Sequence, residues 1–178
     1  MTKATSEIER DGSPFWRFSL RFYARAKMSA ACLVLQDEAG VDVNLLLFLL
    51  FLAEHQRQLG AADVARLDAA VHDWRDSVVK PLRALRRALK TGVGEISVTI
   101  SETFRGQIKR LELDSEHIEQ SVLERFNAAE LGAPAVSRMA AAETNIASYE
   151  IHLGRFPGEA KANILSGFAE FGPHHPAN

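Results

Sequence analysis

Residues 45–53 read LLLFLLFLA, nine consecutive apolar positions entered through Asp42 and Asn44 and left through Glu54, His55 and Arg57. A helix that is apolar on every side cannot lie on a surface, so this segment predicts a helix through the centre of a helical domain. A membrane span would need roughly 20 such residues, and the run is too short for one. The rest of the chain must then supply helices that cover it. The fold expected is all-α, a single compact bundle of seven or eight helices around this apolar central one.

The totals agree with that reading. A chain of 178 residues that is 47% hydrophobic and 25% charged has the make-up of one soluble globular domain. Its formal net charge of −2 offers no general basic field for nucleic acid. The one cysteine, Cys32, cannot form an internal disulfide and suits a reducing compartment, so the cytoplasm is the expected location. Residues 1–12 are polar and lack the apolar centre of a secretion signal; they and the tail at 172–178 are expected to be disordered. Between them, residues 13–171 form the domain, with a core-rich half at 13–91 and a more amphipathic half at 95–171.

Helix signals punctuate the whole chain. Ser13 and Pro14 read as an N-cap and first helical position, followed by Phe15, Phe18 and Phe22 at helical spacing, with Trp16 on the flank, to about Lys27. Ser29 is placed to cap a second helix through Cys32 and Leu35 that Gly40 closes. Asp42 is placed to cap the central helix, expected to reach Leu59 with Gly60 as its stop. Asp63 opens a fourth helix bearing Val64, Leu67, Val71 and an inward Trp74. Pro81 predicts a kink or break before a fifth, whose Leu82, Leu85 and Leu89 would face the core. From Ile96 through Ile100, Phe104, Ile108, Leu111, Ile118 and Val122 to Phe126 the period favours one long helix ending at Gly132. Pro134 then starts another helix with Met139, Ala142, Ile146, Tyr149 and Leu153, and residues 159–170 form a last short one. No segment reads convincingly as a strand.

Two stretches are distinctive: ACLVLQDEAGVDVNLLLF at 31–48 and VVKPLRALRRALK at 78–90. Together with Phe15 and Trp16 they resemble a family of small proteobacterial helical proteins with no assigned function. The likeness is good over residues 13–91 and weaker beyond. It implies a cytoplasmic helical protein and brings no reaction with it. One departure is Phe51 and Leu52, where the resemblance leads one to expect a tryptophan; that bears on packing only.

Two polar constellations stand out. The first is Gln36, Asp37, Asp42 and Asn44 around the Gly40 turn. Polar groups beside a core must find hydrogen-bond partners, so Asp42 can cap the central helix while Gln36 and Asn44 tie the corner together. Alternatively Asp37 and Asp42 form a carboxylate pair for a ligand, although no recognised metal spacing is present. The second is the basic run Lys80, Arg83, Arg86, Arg87 and Lys90. It is either a solvated face paired with acids such as Asp73 and Asp76, or a docking site where guanidinium forks grip an anion.

The other chemistries lack support in sequence. His55, His72, His117, His152, His174 and His175 are scattered and match neither the paired Glu-x-x-His of di-iron bundles nor His-Glu-x-x-His, so no metal, cofactor or catalytic residue is expected. Cys32 sits among apolar neighbours and reads as a buried, inert thiol. The leading expectation is a non-enzymatic adaptor that docks an acidic or phosphate-bearing protein partner on the basic run, or forms a homo-oligomer through the long helix. The alternative is a small-ligand protein or enzyme whose pocket is lined by Asp37, Asp42 and Asn44, with Arg83 or Arg86 holding an anionic ligand. It requires both clusters to meet in one cleft.

Overall fold

The computed structural model describes residues 13–127 and 129–172. The expected disorder at 1–12 and in the tail from 173 onward, with His174 and His175, lies outside the described residues. Among the described residues eight α-helices follow in order: α1 (Pro14–Tyr23), α2 (Met28–Ala39), α3 (Val43–Glu54), α4 (Ala61–Trp74), α5 (Lys80–Ala88), α6 (Val98–Leu123), α7 (Arg138–Leu153) and α8 (Gly158–Glu170). The apolar run is α3. Leu45, Leu46, Leu49, Leu50 and Leu52 are fully enclosed, and α1, α2, α6 and α7 pack around them. No described helix is long and apolar enough to cross a membrane.

Local chemistry sets several boundaries where the sequence places them. Ser13 caps α1, its Oγ accepting the Trp16 N–H at 3.2 Å and donating to Glu124 Oε1 at 2.5 Å. Gly40 closes α2 in the left-handed conformation at φ 67°. Asp42 caps α3. The period at 96–126 resolves into one helix, α6, as expected, although it stops at Leu123 and not at Gly132.

Other boundaries differ because distant partners override local signals. α1 stops at Tyr23 and α2 begins at Met28, so Ser29 lies inside the helix; Lys27 makes the corner at φ 68°. The Met28 side chain fills the space above Gly167 of α8, where an added Cβ would lie 2.2 Å from its sulfur. α3 stops at Glu54, well short of Leu59. Residues Arg57–Gln58 (β1) instead pair antiparallel with Ala133–Pro134 (β2), a two-residue ladder that alternation could not announce. Gly132 sits at φ 57° beside this ladder, and a Cβ there would meet the Gln58 carbonyl oxygen at 2.0 Å. Pro134 is thus in the ladder, and α7 starts later, capped by Ser137.

Pro81 causes no break. A π-helical turn at Arg75–Val79 joins α4 to α5 in one rod, and the Lys80 N–H reaches back to Arg75 O. The wider turn accommodates a ring that has no N–H to give. The two helices after it are turned differently from their apolar patterns. On α5 Leu89 is buried as expected, but Leu85 is exposed while Arg83 and Arg86 turn inward; Trp74, at the end of α4 before the turn, is exposed as well. On α6, Ile100 (70% exposed), Phe104, Leu111 and Ile118 face outward, and the buried face carries Ser101, Ile108, Glu112, Ser115, Glu119, Gln120 and Leu123.

Candidate functional site

The site grows from the α2–α3 corner. Asp42 Oδ1 accepts the N–H groups of Asn44 (2.8 Å) and Leu45 (3.2 Å). Its Oδ2 accepts from Arg75 Nη1 at 3.0 Å, and its own N–H donates to Tyr149 Oη at 2.9 Å. Arg75 also reaches Asp68 at 2.6 Å, and Asp68 meets His152 Nε2 at 3.1 Å. Asp42 is therefore a cap and an ion-pair partner behind the surface. Asp37, by contrast, lies exposed at the end of α2 and accepts from Arg87 at 3.0 Å. The two acids expected as a pair take separate partners.

Asn44 begins a second chain of bonds. Its Nδ2 donates to Glu119 Oε2 at 3.0 Å, and its Oδ1 accepts from Gln120 Nε2 at 2.9 Å. Gln120 Oε1 accepts from Ser19 Oγ at 3.1 Å. Glu119 is 1% exposed, and among the described residues its Oε1 has no hydrogen-bond partner. Burial first, then the bond and charge of Asp42, push its carboxyl far above the usual range. The neighbouring Asp42 carboxylate thus favours the protonated form of Glu119.

The basic run is distributed over several acids. Arg83 donates from Nε to Glu112 (3.1 Å), from Nη1 to Gln36 (2.5 Å) and from Nη2 to Glu116 (2.5 Å). Arg86 grips Glu112 through Nε and Nη2. Lys80 pairs with Asp76 at 2.8 Å and Arg87 with Asp37, while Lys90 is exposed. Burial works to raise the Glu112 carboxyl, but the bonds and charges of Arg86 and Arg83 outweigh it and hold it low. Glu116 goes the other way: burial dominates, Glu112 and Asp42 add repulsion, and Arg83 only partly offsets them.

Between these clusters lies a cleft of about 800 Å³. Val43, Asn44 and Leu47 of α3 meet it, with Ser19 and Gln120 beside them. Trp16, Leu20 and Tyr23 of α1, Leu33 and Gln36 of α2, and Leu113 of α6 line it further. Arg83, Arg86, Arg87, Lys109 and Arg110 bring five cations to it, against the two acids Glu112 and Glu116. The cleft thus joins Gln36 and Asn44 of the first constellation to three arginines of the second; Asp37 and Asp42 are not among its lining residues. Sequence reasoning missed Tyr23, Lys109, Arg110, Glu112, Glu116 and Gln120. The signal available for Lys109, Glu112, Glu116 and Gln120 was a charged and polar row on α6 at steps of three and four, with Arg110 on its flank.

The histidines have partners of their own. His117 packs edge-on against Trp16 with centroids 4.4 Å apart, His55 against Phe51 at 4.8 Å, and His72 lies 3.7 Å from Asp76. Cys32 is fully buried, and burial pushes its thiol up to about 12. A family model described as protein of unknown function (DUF2390) matches residues 14–123. No curated protein and no solved structure matches the chain.

Proposed function

Because the chain belongs to the DUF2390 family of proteins of unknown function, which brings no reaction with it, we propose a function from its own geometry: it is a small-ligand-binding protein that takes an anionic molecule in the cleft between α1, α2, α5 and α6. The observation that carries this is the meeting of the amide corner and the arginine run in one cavity of about 800 Å³ with an excess of cations. That volume falls within the range of small-molecule sites, roughly 300–1,000 Å³. Arg83 is occupied by three partners and organises the wall. Lys109 and Arg110, which lie outside the paired arginine run, are the groups an anion would meet.

The adaptor reading has less behind it. Four of the five cations it needs, Lys80, Arg83, Arg86 and Arg87, already hold acids of their own chain. A cytoplasmic setting suits a chain whose single thiol is buried and unpaired. The experiment is native mass spectrometry of the protein purified gently from its host, beside the variant Leu33→Trp. Leu33 is 42% exposed in the cleft wall, so the larger ring projects into the cavity and narrows it without disturbing the core. The expected result is a small added mass on the natural chain, lost on denaturation and absent from the variant. A bare natural chain with bound polypeptide would reverse the order of the two readings.

A further inference from the structure

Resting on that cleft reading, we infer that the ligand is a single-chain amphipathic anion: an alkyl or acyl chain ending in a phosphate or carboxylate. Three independent features converge on this class. The first is shape. α6 lines the cleft from Gly106 to Gln120, and that number of helical steps at 1.5 Å each makes the wall about 21 Å long. An elongated ligand uses such a wall, and a compact one leaves most of it wet.

The second is the lining. Leu20, Leu33 and Leu113 are 49%, 42% and 48% exposed, come from three different helices, and face the same space. Scattered apolar residues on a surface need no explanation, but three converging on one cleft above Leu47 form an aliphatic channel. Among the described lining residues the aromatic rings are Trp16 and Tyr23, seven residues or about 10 Å apart along α1, too far to sandwich a base or another flat ring, and Trp16 packs edge-on with His117. The polar groups beside the floor are also committed. Ser19, Gln120, Asn44 and Glu119 bond one another in series, which leaves one N–H on each of the two amides as the polar capacity of the floor.

The third is charge. Lys109 and Arg110 are exposed at the cleft and have no acid partner among the described residues. They give the head of the ligand a cationic rim beside the acid-paired Arg86 and Arg87, and cationic side chains suit either phosphate or carboxylate. An apolar trough with a basic rim is complementary to an anion that carries a chain. It is not complementary to a free anion, which needs no trough, or to a neutral chain, which needs no rim.

The test is titration calorimetry of the full chain with octyl, decyl and dodecyl phosphate and with dodecanoate, all below micelle-forming concentrations. Inorganic phosphate, dodecanol and phenyl phosphate are the controls. The expected result is one chain-bearing anion per protein, affinity rising up to roughly fourfold per added methylene, and no binding of inorganic phosphate. Dodecanol should bind at least tenfold more weakly than dodecyl phosphate. Lys109→Gln with Arg110→Gln, both at exposed positions, should remove most of that difference, and Leu33→Trp should abolish binding. A preference for dodecyl phosphate over dodecanoate, or the reverse, identifies the head group. Affinity independent of chain length, equal binding of dodecanol, or full binding by Leu33→Trp would overturn the assignment. If phenyl phosphate alone binds, and loses binding in Leu33→Trp, the chain assignment fails while the cleft reading stands. If nothing in the series binds, and the protein purified from its host carries no small mass, both fall.

Discussion

Glu119 is the side chain whose chemistry the fold alters most. It is enclosed, hydrogen-bonded through one oxygen to Asn44, and set against Asp42, so it keeps its proton at pH values where a free glutamate has lost it. The sign of the consequence follows from linkage. Between the unfolded pKa, near 4.3, and the much higher folded one, the native state binds one proton more than the unfolded chain. Stability from this group is therefore fully present below the unfolded pKa and falls by about 1.4 kcal/mol per pH unit as pH rises above it. Glu119→Gln carries the same shape without the proton, its amide accepting from Asn44. Urea unfolding at pH 5, 7 and 9 should show the natural chain losing stability along the series and the variant much less. The same scale separates the arginines. Arg83→Ala strands the partly buried Glu116 and leaves the buried Glu112 to Arg86 alone, and should lower stability by about 3 kcal/mol, whereas Arg87→Ala loses only an exposed pair and should cost under about 1 kcal/mol. Equal midpoint shifts for the two would contradict the burial seen here. Asp42 was legible as a cap because its partners are two and three residues away. The Asn44–Glu119 bond was not, because it joins residues 75 positions apart.

Among the elements, α6 shows why periodicity located a helix and misjudged its facing. The row Ile100, Phe104, Leu111 and Ile118 has the spacing that usually marks a core stripe. The arginine-bearing α5 lies beside α6, however, and Arg83 and Arg86 draw Glu112 and Glu116 toward it. With polar groups already satisfied on that side, the helix is fixed with Glu112, Glu119 and Gln120 inward and much of the apolar row in water. Sequence patterns register which residues are alike along one helix; they do not register which neighbour holds the complementary charge. Phe104→Ser should therefore change stability by no more than about 0.5 kcal/mol, a small effect for an aromatic residue in a helix. The same thermal melt run over a hundredfold range of protein concentration checks the exposure independently. A large loss from the substitution, together with a concentration-dependent midpoint in the natural chain, would mean that a second copy covers the row. The π-turn before α5 has a similar lesson. Pro81 correctly marked an irregularity, but the distortion lies in the five residues ahead of it and the rod stays continuous.

At the scale of the whole molecule, the central helix was readable because nine apolar residues leave it one place to go, and α7 shows how that place is completed. α7 makes the most extensive helix-to-helix contact that α3 has, and α8 closes over α2. Asn145 on α7 fixes the chain leaving α3: its Nδ2 donates to the carbonyls of Leu49 (2.9 Å) and Arg57 (3.0 Å), and its Oδ1 accepts the Leu59 N–H at 2.6 Å. Ser148 adds a bond to Leu59 O at 2.8 Å, and Tyr149 reaches the Asp42 N–H. Asn145, Ser148 and Tyr149 all lie beyond the segment 14–123 that the family model matches. That segment holds α1 to α6 and the entire cleft, yet it lacks the helices that keep α3 dry. Each large apolar side chain of α3 that loses its cover gives up roughly 2 kcal/mol, and the orphaned backbone groups cost about 1–3 kcal/mol each. A domain with the usual margin of 5–15 kcal/mol cannot absorb several such losses. A chain ending after residue 123 should therefore show no cooperative thermal transition and should bind an apolar dye such as anilinonaphthalene sulfonate. The chain of residues 13–172 should melt in one step and exclude the dye from its core. A two-state melt of the shorter chain would show that α7 and α8 are additions to a self-sufficient unit, and would move the source of stability back to α1–α6. The structure points the other way, because the donors and acceptors that set the exit of α3 are supplied from α7.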